Sequence, residues 1–205
     1  MFREAFEKLE LAEIATILDQ INPLFEGTIF DPVETAILAI DLSFYPGFRF
    51  LDISNSSVMP TVQRFVIFSL EKSIVINFTN EPIYRLNKEL PIQLNIENIF
   101  DYVRFFFSYV RGRHGRFVIA ESPDDIQWKE EPPPAARKAI AKMLKPLSIK
   151  QEGKGSDVYN MEVCMMFKDS LFKSDVNVSA EGFVTLDNEE LLIEDMPILD
   201  DTFGQ

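Results

Sequence analysis

The segment 96–110 constrains the fold more than any other part of the chain, because its apolar residues nearly encircle a helix. These residues are Ile96, Ile99, Phe100, Val103, Phe105, Phe106, Phe107, Tyr109 and Val110. A helix that is apolar on most sides packs in the interior of a protein. We therefore predict a central, buried helix, with Asn95 as its N-cap and an Asp101–Arg104 pair on its narrow polar strip.

Two other segments predict helices with a single apolar side. Residues 2–20 carry apolar side chains at helical spacing, and Pro23 ends the helix because a residue before proline is pushed out of the helical region. Residues 133–145 follow a run of prolines, and Lys142 and Lys145 complement the negative end of the helix dipole. We expect each of these helices to cover a face of a sheet.

Much of the remaining chain predicts antiparallel strands. Apolar and polar residues alternate over 159–167, which is typical of a strand with one buried face. The predicted strands are 64–70, 73–78, 116–121, 126–128, 159–167, 171–178 and 183–186. Residues 33–42 fit either a strand or a helix. We expect breaks at 80–82 and 90–91, because both contain proline. The tail 187–205 is expected to lie along the surface.

The order of these elements predicts the fold class. Helices precede runs of hairpin-connected strands, and no regular strand–helix–strand alternation occurs, so a doubly wound parallel sheet is disfavoured. We predict an α+β fold with mainly antiparallel curved sheets packed against helices, of a cystatin-like or nuclear-transport-factor-like kind. The whole chain, 1–205, is interpreted as one domain with a sub-lobe boundary near 151–156, where a Gly- and Lys-containing loop interrupts the pattern.

A single cysteine and a single histidine remove most catalytic and metal chemistry. A zinc site generally needs three or four such ligands, and neither of the common glycine-rich nucleotide-binding loops occurs. Cys164 has no partner for an intramolecular disulfide, and the N-terminal residues mix charges where a signal peptide would be apolar. We therefore expect a cytoplasmic protein without a cofactor or a metal, and with no membrane association.

The net charge of −13 is unevenly distributed. Residues 1–102 carry a net charge of −8, residues 103–150 carry +5, and residues 151–205 carry −10. The basic middle segment either pairs with the acidic flanks in the folded protein or forms a distinct binding surface. General nucleic-acid binding is disfavoured, because a phosphate backbone needs a basic surface.

A cationic cluster at residues 111–116 is the main candidate for a binding site. It contains Arg111, Arg113, His114 and Arg116, separated by two glycines. Guanidinium groups and backbone N–H groups brought together in this way suit a carboxylate or a phosphate. The structural interpretation is a helix C-terminus, where glycines allow positive φ and cations favour the dipole. Catalysis by His114 is a third interpretation, but no group that would orient the imidazole is identifiable.

Other residues allow both a structural and a binding interpretation. Trp128, the single indole, fits either the edge of the core or the wall of a ligand site. Met161, Cys164, Met165 and Met166 fit either core packing or an adaptable pocket, because thioethers fill irregular space. The 19 phenylalanines pose the same choice between a filled interior and a hollow one.

Binding is therefore a better expectation than catalysis. Our first hypothesis is a non-catalytic cytoplasmic binding or adaptor protein, with a protein partner or a homodimer formed through a sheet. The alternative is a small-molecule-binding domain, or a weak enzyme, with an apolar pocket in a curved sheet. That alternative predicts a cavity of roughly 300–1,000 Å³ with a few convergent polar groups. A third hypothesis is an anion-binding regulatory domain centred on residues 111–116, with a small acidic ligand.

Overall fold

The computed structural model describes residues 6–27, 29–151 and 158–199. The elements in chain order are β1 (Glu7–Lys8), α1 (Leu11–Ile21), β2 (Thr35–Asp41), β3 (Arg49–Asn55), β4 (Val62–Phe68), β5 (Ser73–Ile76), α2 (Glu81–Glu89), α3 (Ile99–Tyr109), β6 (Phe117–Ile119), α4 (Pro134–Met143), β7 (Ser148–Gln151), β8 (Val158–Phe167), β9 (Ser170–Ser179) and β10 (Val184–Ile193). Short 3-10 turns occur at Asn22–Leu24 and Pro123–Asp125.

The strands form two antiparallel sheets, which confirms the α+β prediction. The first sheet is a meander in the order β1-β2-β3-β4-β5. The second has the order β10-β9-β8-β6, and β7 also pairs with β8. Hairpins connect β4 to β5 and β8 to β9, as the alternating patterns predict. No helix of the described residues is long and apolar enough to cross a membrane.

Helices and sheets alternate through the molecule. Helix α1 covers one face of the first sheet, where Leu18 and Ile21 are fully buried. The other face of that sheet packs with α2, α3 and the inner face of the second sheet in one continuous core. Helix α4 and residues 196–198 cover part of the outer face of the second sheet. Of the predicted boundary near 151–156, Gln151 is the last residue of β7, and residues 152–156 lie outside the described part of the chain.

Helix α3 lies between the two sheets, as its apolar circumference predicts. The ring of Phe105 contacts Phe50 of β3, with centroids 5.3 Å apart. The ring of Phe107 faces Phe117 of β6 on the other side, with centroids 6.4 Å apart. The aromatic side chains therefore fill the interior between the sheets.

A buried ion pair joins α3 to the segment that follows β6. The Arg104 guanidinium, in a residue only 8% exposed, donates from Nε and Nη2 to the two Glu121 carboxylate oxygens, both at 3.0 Å. Glu121 also accepts the backbone N–H of Leu147 at 2.9 Å. The predicted Asp101–Arg104 contact is present at 3.6 Å, as a weaker addition. Burying a charge is costly unless the charge is paired and hydrogen-bonded, and both groups of this pair satisfy that condition.

Three side chains from α2 and α3 hold the turn between β9 and β10. Asn87 Nδ2 donates to the carbonyl of Glu181 at 2.9 Å, and the Tyr102 hydroxyl donates to the carbonyl of Gly182 at 2.5 Å. The Tyr84 hydroxyl accepts the backbone N–H of Val184 at 3.2 Å. Gly182 has φ +78°, and a Cβ there would lie 2.6 Å from Asn87 Nδ2. Only glycine fits this close approach.

The predicted N-terminal helix begins too early. Residues 7 and 8 form β1, which pairs with β2, and α1 starts only at Leu11. Phe6 packs edge-on against Phe50, so its apolar side chain belongs to the core between the sheets. The helical spacing is realised only over Leu11–Ile21, and before it the pairing of residues 7 and 8 with β2 overrides the helical preference. Residues 1–5 lie outside the described part of the chain.

The run of strands ends before 80–82, as predicted, since β5 ends at Ile76, and an unpredicted helix, α2, begins at Glu81. Pro82 lies in its first turn, where the missing N–H has no helical partner. The break at 90–91 is confirmed, since α2 ends at Glu89. Within the ambiguous segment 33–42, Thr35–Asp41 form strand β2. Ile37 and Ala39 pack on the side of α1, while Ile40 packs in the core between the sheets.

Other local predictions also require correction. The return strand at 126–128 is reduced to one bridge between Trp128 and Ile198, because the preceding 3-10 turn redirects the chain. The residue immediately before α3 is Asn98, and not the predicted N-cap Asn95. The Asn95 side chain instead accepts the backbone N–H groups of Glu97 and Asn98, before the helix begins. Within the tail, β10 extends to Ile193 through pairing with β9.

Candidate ligand-binding groove

The cationic cluster forms the connection between α3 and β6. Gly112 and Gly115 exchange backbone hydrogen bonds of 2.8 and 3.3 Å, which close a tight turn with Arg113 and His114 exposed at its tip. The Arg111 N–H donates to the carbonyl of Phe78 at 2.8 Å, so the start of the turn is attached to the end of the first sheet.

This turn forms one end of an open groove of about 850 Å³. The groove runs between the segment after β5, the beginning of α2, the end of α3 and the start of β10. Its lining residues are Phe78, Thr79, Asn80, Tyr84, Phe106, Phe107, Val110, Arg111, Gly112, Arg113, Phe117, Val184 and Leu186. The volume is typical of small-molecule sites, and most of the lining is apolar or aromatic.

Aromatic rings form much of the groove surface. Tyr84 and Phe106 stack with centroids 5.8 Å apart, and Phe106 meets Phe107 edge-on at 5.6 Å. Rings packed against one another hold their positions and present a stable apolar surface. Burial raises the pKa of the Tyr84 hydroxyl above its usual range, although the Val184 N–H and the Asn80 side chain partly oppose the rise. This hydroxyl is therefore neutral at physiological pH.

Phe78 holds an unusual position at the charged end of the groove. Its φ is +62°, a left-handed value that bulky side chains rarely adopt. In this conformation its ring lies beneath the Arg111 guanidinium, whose Cζ is 4.1 Å from the ring centroid. A cation over an aromatic face is attracted to it. Backbone strain of this kind is concentrated at functional sites, which makes Phe78 a marker for this end of the groove.

All the charged residues in the described lining are arginines, Arg111 and Arg113. The groove thus has an apolar body and a cationic end, within a chain whose net charge is −13. Within the described part of the chain, no acid lies within ion-pair distance of the Arg113 guanidinium. An exposed guanidinium beside an apolar surface suits a ligand with both an apolar and an anionic part.

The structure separates the remaining candidate residues from this groove. Arg116 borders a smaller cavity of about 170 Å³, together with Arg104, Asp124 and Asp125. His114 is exposed and belongs to neither lining. The candidate cluster therefore divides, with two of its arginines at the groove and one at a mixed-charge cavity.

Trp128 also lies away from the groove. Its indole Nε1 donates to the carbonyl of Pro123 at 3.1 Å, and the ring packs at the edge of the core beneath α4. The candidate methionines and Cys164 are buried in the cores on the two faces of the second sheet, as core packing predicts. The cavity is accordingly a groove at the margin of the core and does not lie inside a hollow sheet.

Several cations of the basic middle segment pair with acids. Arg104 binds Glu121, and Arg137 binds Asp124 and, at 2.7 Å, Glu131. Lys145 and Lys150 approach Glu162 on the outer face of the second sheet. The nearby Lys173 ammonium, 3.0 Å away, holds the pKa of the Glu162 carboxyl below its usual range. Arg104 and Arg137 thus pair mainly with acids of the same basic segment, and Lys145 and Lys150 reach the acidic segment that follows it. Arg113 has no such ion pair among the described residues.

Sequence patterns miss two walls of the groove. Tyr84 lies on a helix that the prolines conceal, although Ile83 and Leu86 supply an apolar side for it. Phe78 was expected as an ordinary strand residue, and no local pattern signals its positive φ. The apolar spacing over 82–87 is the signal that could have revealed α2.

The chain matches no known protein-family model, no curated protein and no solved structure. The cystatin-like or nuclear-transport-factor-like subtype therefore stays a prediction. Function has to be inferred from the geometry and chemistry of the groove.

Proposed function

We propose that this protein is a non-catalytic binding protein whose aromatic groove holds a small, largely apolar molecule. The observation that carries the proposal is the 850 Å³ groove with its stacked Tyr84 and Phe106 rings. Burying apolar ligand surface there supplies a favourable free energy of about 25 cal/mol per Å² before the costs of association are subtracted.

The polar groups around the groove favour binding over catalysis. The Tyr84 hydroxyl is engaged by the Val184 N–H, and the Thr79 hydroxyl donates to Asn77 Oδ1 at 2.7 Å. His114, the residue type most often used as a general base, does not line the groove. These side chains serve to position walls, and they present no nucleophile with an adjacent base.

The first test uses the neutral fluorescent probe N-phenyl-1-naphthylamine with the full chain. We expect a saturable rise in fluorescence as the probe leaves water. Leu186→Gln should weaken this binding about tenfold, because it places an amide on the apolar wall. The matched control is Leu191→Gln on the same strand, at a residue that is 43% exposed and outside the groove lining. That variant should bind within about twofold of the parent.

Thermal unfolding of both variants will separate a loss of binding from a loss of folding. A non-saturable fluorescence response, or equal weakening by the two folded variants, would contradict the proposed groove. If Leu186→Gln does not fold, competition by a second neutral probe in the parent protein still distinguishes saturable binding from surface adsorption.

An adaptor function is the second candidate, and it has a different observation in its favour. Val33 and Met59 are 80% and 92% exposed, in the segments just before β2 and between β3 and β4. The segments that carry Val33 and Met59 are joined by a 2.8 Å hydrogen bond from the Ser57 hydroxyl to Glu34. An exposed apolar cluster is typical of a protein-docking surface. The probe experiment separates the two functions, because this surface lies away from the groove lining.

A further inference from the structure

We infer that the ligand of the groove is an apolar carboxylic acid, whose carboxylate binds at the Arg113 end while its hydrocarbon part lies over the aromatic rings. This inference rests on the proposed function and names the chemical class of the ligand. It is based on three features of the groove: the sign of its charge, the position of its two arginines and the shortage of other polar donors.

The sign of the charge selects an anion. Arg111 and Arg113 lie at the same end of the groove, and the lining residues that the structure describes include no acid. The chain as a whole carries −13, so a locally cationic end runs against the general charge of the molecule. Electrostatic complementarity of this kind favours one sign of ligand and raises its association rate.

The two arginines have different roles. Arg111 is positioned by its backbone bond to Phe78 and by the stacking of its guanidinium on the Phe78 ring. Arg113 lies at the exposed tip of the turn, with no acid of the described chain within ion-pair distance. Its guanidinium offers a planar fork that matches the two oxygens of a carboxylate. We assign Arg113 as the residue that contacts the carboxylate and Arg111 as a fixed neighbouring charge.

The remaining polar side chains argue against a phosphate ligand. A phosphate needs several donors around one centre, whereas the Thr79 hydroxyl already donates to Asn77. Beyond the cationic end, the lining consists mainly of apolar groups such as Val110 and Leu186. A monocarboxylate with a hydrocarbon tail fits both parts of the groove, because its carboxylate matches the Arg113 guanidinium and its tail matches the apolar lining.

The test compares decanoate with decanol, which has the same chain length and no charge. Both are titrated against the full-length protein below the concentration at which decanoate forms micelles, with displacement of N-phenyl-1-naphthylamine as the readout. We expect decanoate to bind about tenfold more tightly than decanol at low salt. The preference should shrink as salt is added, because the contact is exposed. Inorganic phosphate alone should not displace the probe.

Variants locate the carboxylate contact. Arg113→Ala should lower decanoate affinity about tenfold, to the level of decanol, while decanol binding stays unchanged. Arg113→Lys should retain part of the preference, since it keeps the charge and loses the fork. The control is Arg85→Ala, an exposed α2 residue outside the groove lining that removes the same charge. This variant should keep the full preference for decanoate.

The outcomes distinguish this inference from the proposed function. Equal binding of decanoate and decanol would overturn the carboxylate inference and leave the apolar groove intact. Failure of the neutral probe to bind would overturn the groove and the inference together. A decanoate preference that survives Arg113→Ala, or that Arg85→Ala abolishes equally, would overturn the assignment of Arg113. Displacement by inorganic phosphate would replace the carboxylate with a phosphate.

Discussion

Two turns border the aromatic groove, and they are built in opposite ways. The turn at 181–182 is held by inward hydrogen bonds from Asn87 and Tyr102, and it leads directly into the wall formed by β10. The turn at 112–115 is closed by its own backbone hydrogen bonds and exposes two side chains at its tip. One turn uses its polar contacts to fix a wall, and the other leaves a charged side chain open to solvent.

The same contrast is seen between Arg104, within α3, and Arg113, in the turn that follows α3. Arg104 is buried and bidentate with Glu121, so its charge is satisfied within the fold. Arg113, at the tip of the same segment, has no such acid in the described structure. The buried pair joins α3 to the segment after β6, and the turn lies between these two elements. A site is positioned more precisely when rigid elements of the fold support it.

The largest expected effect on stability comes from removing one partner of the buried Arg104–Glu121 ion pair. Glu121→Ala leaves the Arg104 guanidinium buried without its carboxylate and removes the acceptor of the Leu147 N–H. We expect the free energy of unfolding to fall by about 3–5 kcal/mol, measured by urea denaturation.

A second variant shows whether the buried charge is the cause. The double substitution Arg104→Met with Glu121→Met removes both charges and keeps apolar volume, so we expect it to be more stable than Glu121→Ala alone. If the double variant is equally unstable or worse, then lost packing and not an uncompensated charge accounts for the effect.

A smaller but still large effect is expected at the fixed turn. Gly182→Ala would force a Cβ to within 2.6 Å of Asn87 Nδ2 at a backbone φ of +78°. We expect a loss of about 3 kcal/mol, combining the conformational and steric costs, and a lower midpoint in thermal unfolding.

Gly47→Ala provides the matched control for this substitution. Gly47 has a similar φ of +83°, but a Cβ there would meet no atom within 4 Å. It should lose only about 1 kcal/mol, the conformational cost alone. Equal losses at the two glycines would show that crowding against Asn87 and Tyr102 contributes nothing, which would remove the contrast between the turns.

The smallest expected effect is at the exposed tip. Arg113→Ala should change the free energy of unfolding by less than about 0.5 kcal/mol, because the side chain is at the surface and makes no ion pair with the described acids. Urea denaturation measures this directly. A loss above about 1.5 kcal/mol would mean that Arg113 stabilises the fold, and the turn would then resemble the one at 181–182.

Local patterns predict the elements whose environment matches their own periodicity. The helix over 96–110 shortens to Ile99–Tyr109 but is central and buried, because an apolar circumference leaves it no other place. The strands β8 and β9 agree closely with the alternation, since one face of each packs in the core. These predictions needed only the spacing of side chains along the chain.

Local patterns fail where a distant contact decides the structure. Residues 7 and 8 become a strand because β2 is available to pair with them. Asp101 is the partner that helical spacing predicts for Arg104, yet Glu121, seventeen residues along the chain, supplies the closer contact. The cationic cluster was a sound candidate from sequence, but its division between two cavities depends on which way each side chain leaves the turn.

The sequence by itself determined an antiparallel α+β fold around a buried aromatic helix, because hydrophobic periodicity is a local property. It also limited any chemistry based on cysteine and histidine to one residue of each kind. Only the tertiary structure decided that Phe78, Tyr84, Phe106 and Leu186 share one groove with Arg113 at its end. These residues come from three separate regions of the chain, and their meeting depends on how the two sheets pack around α3.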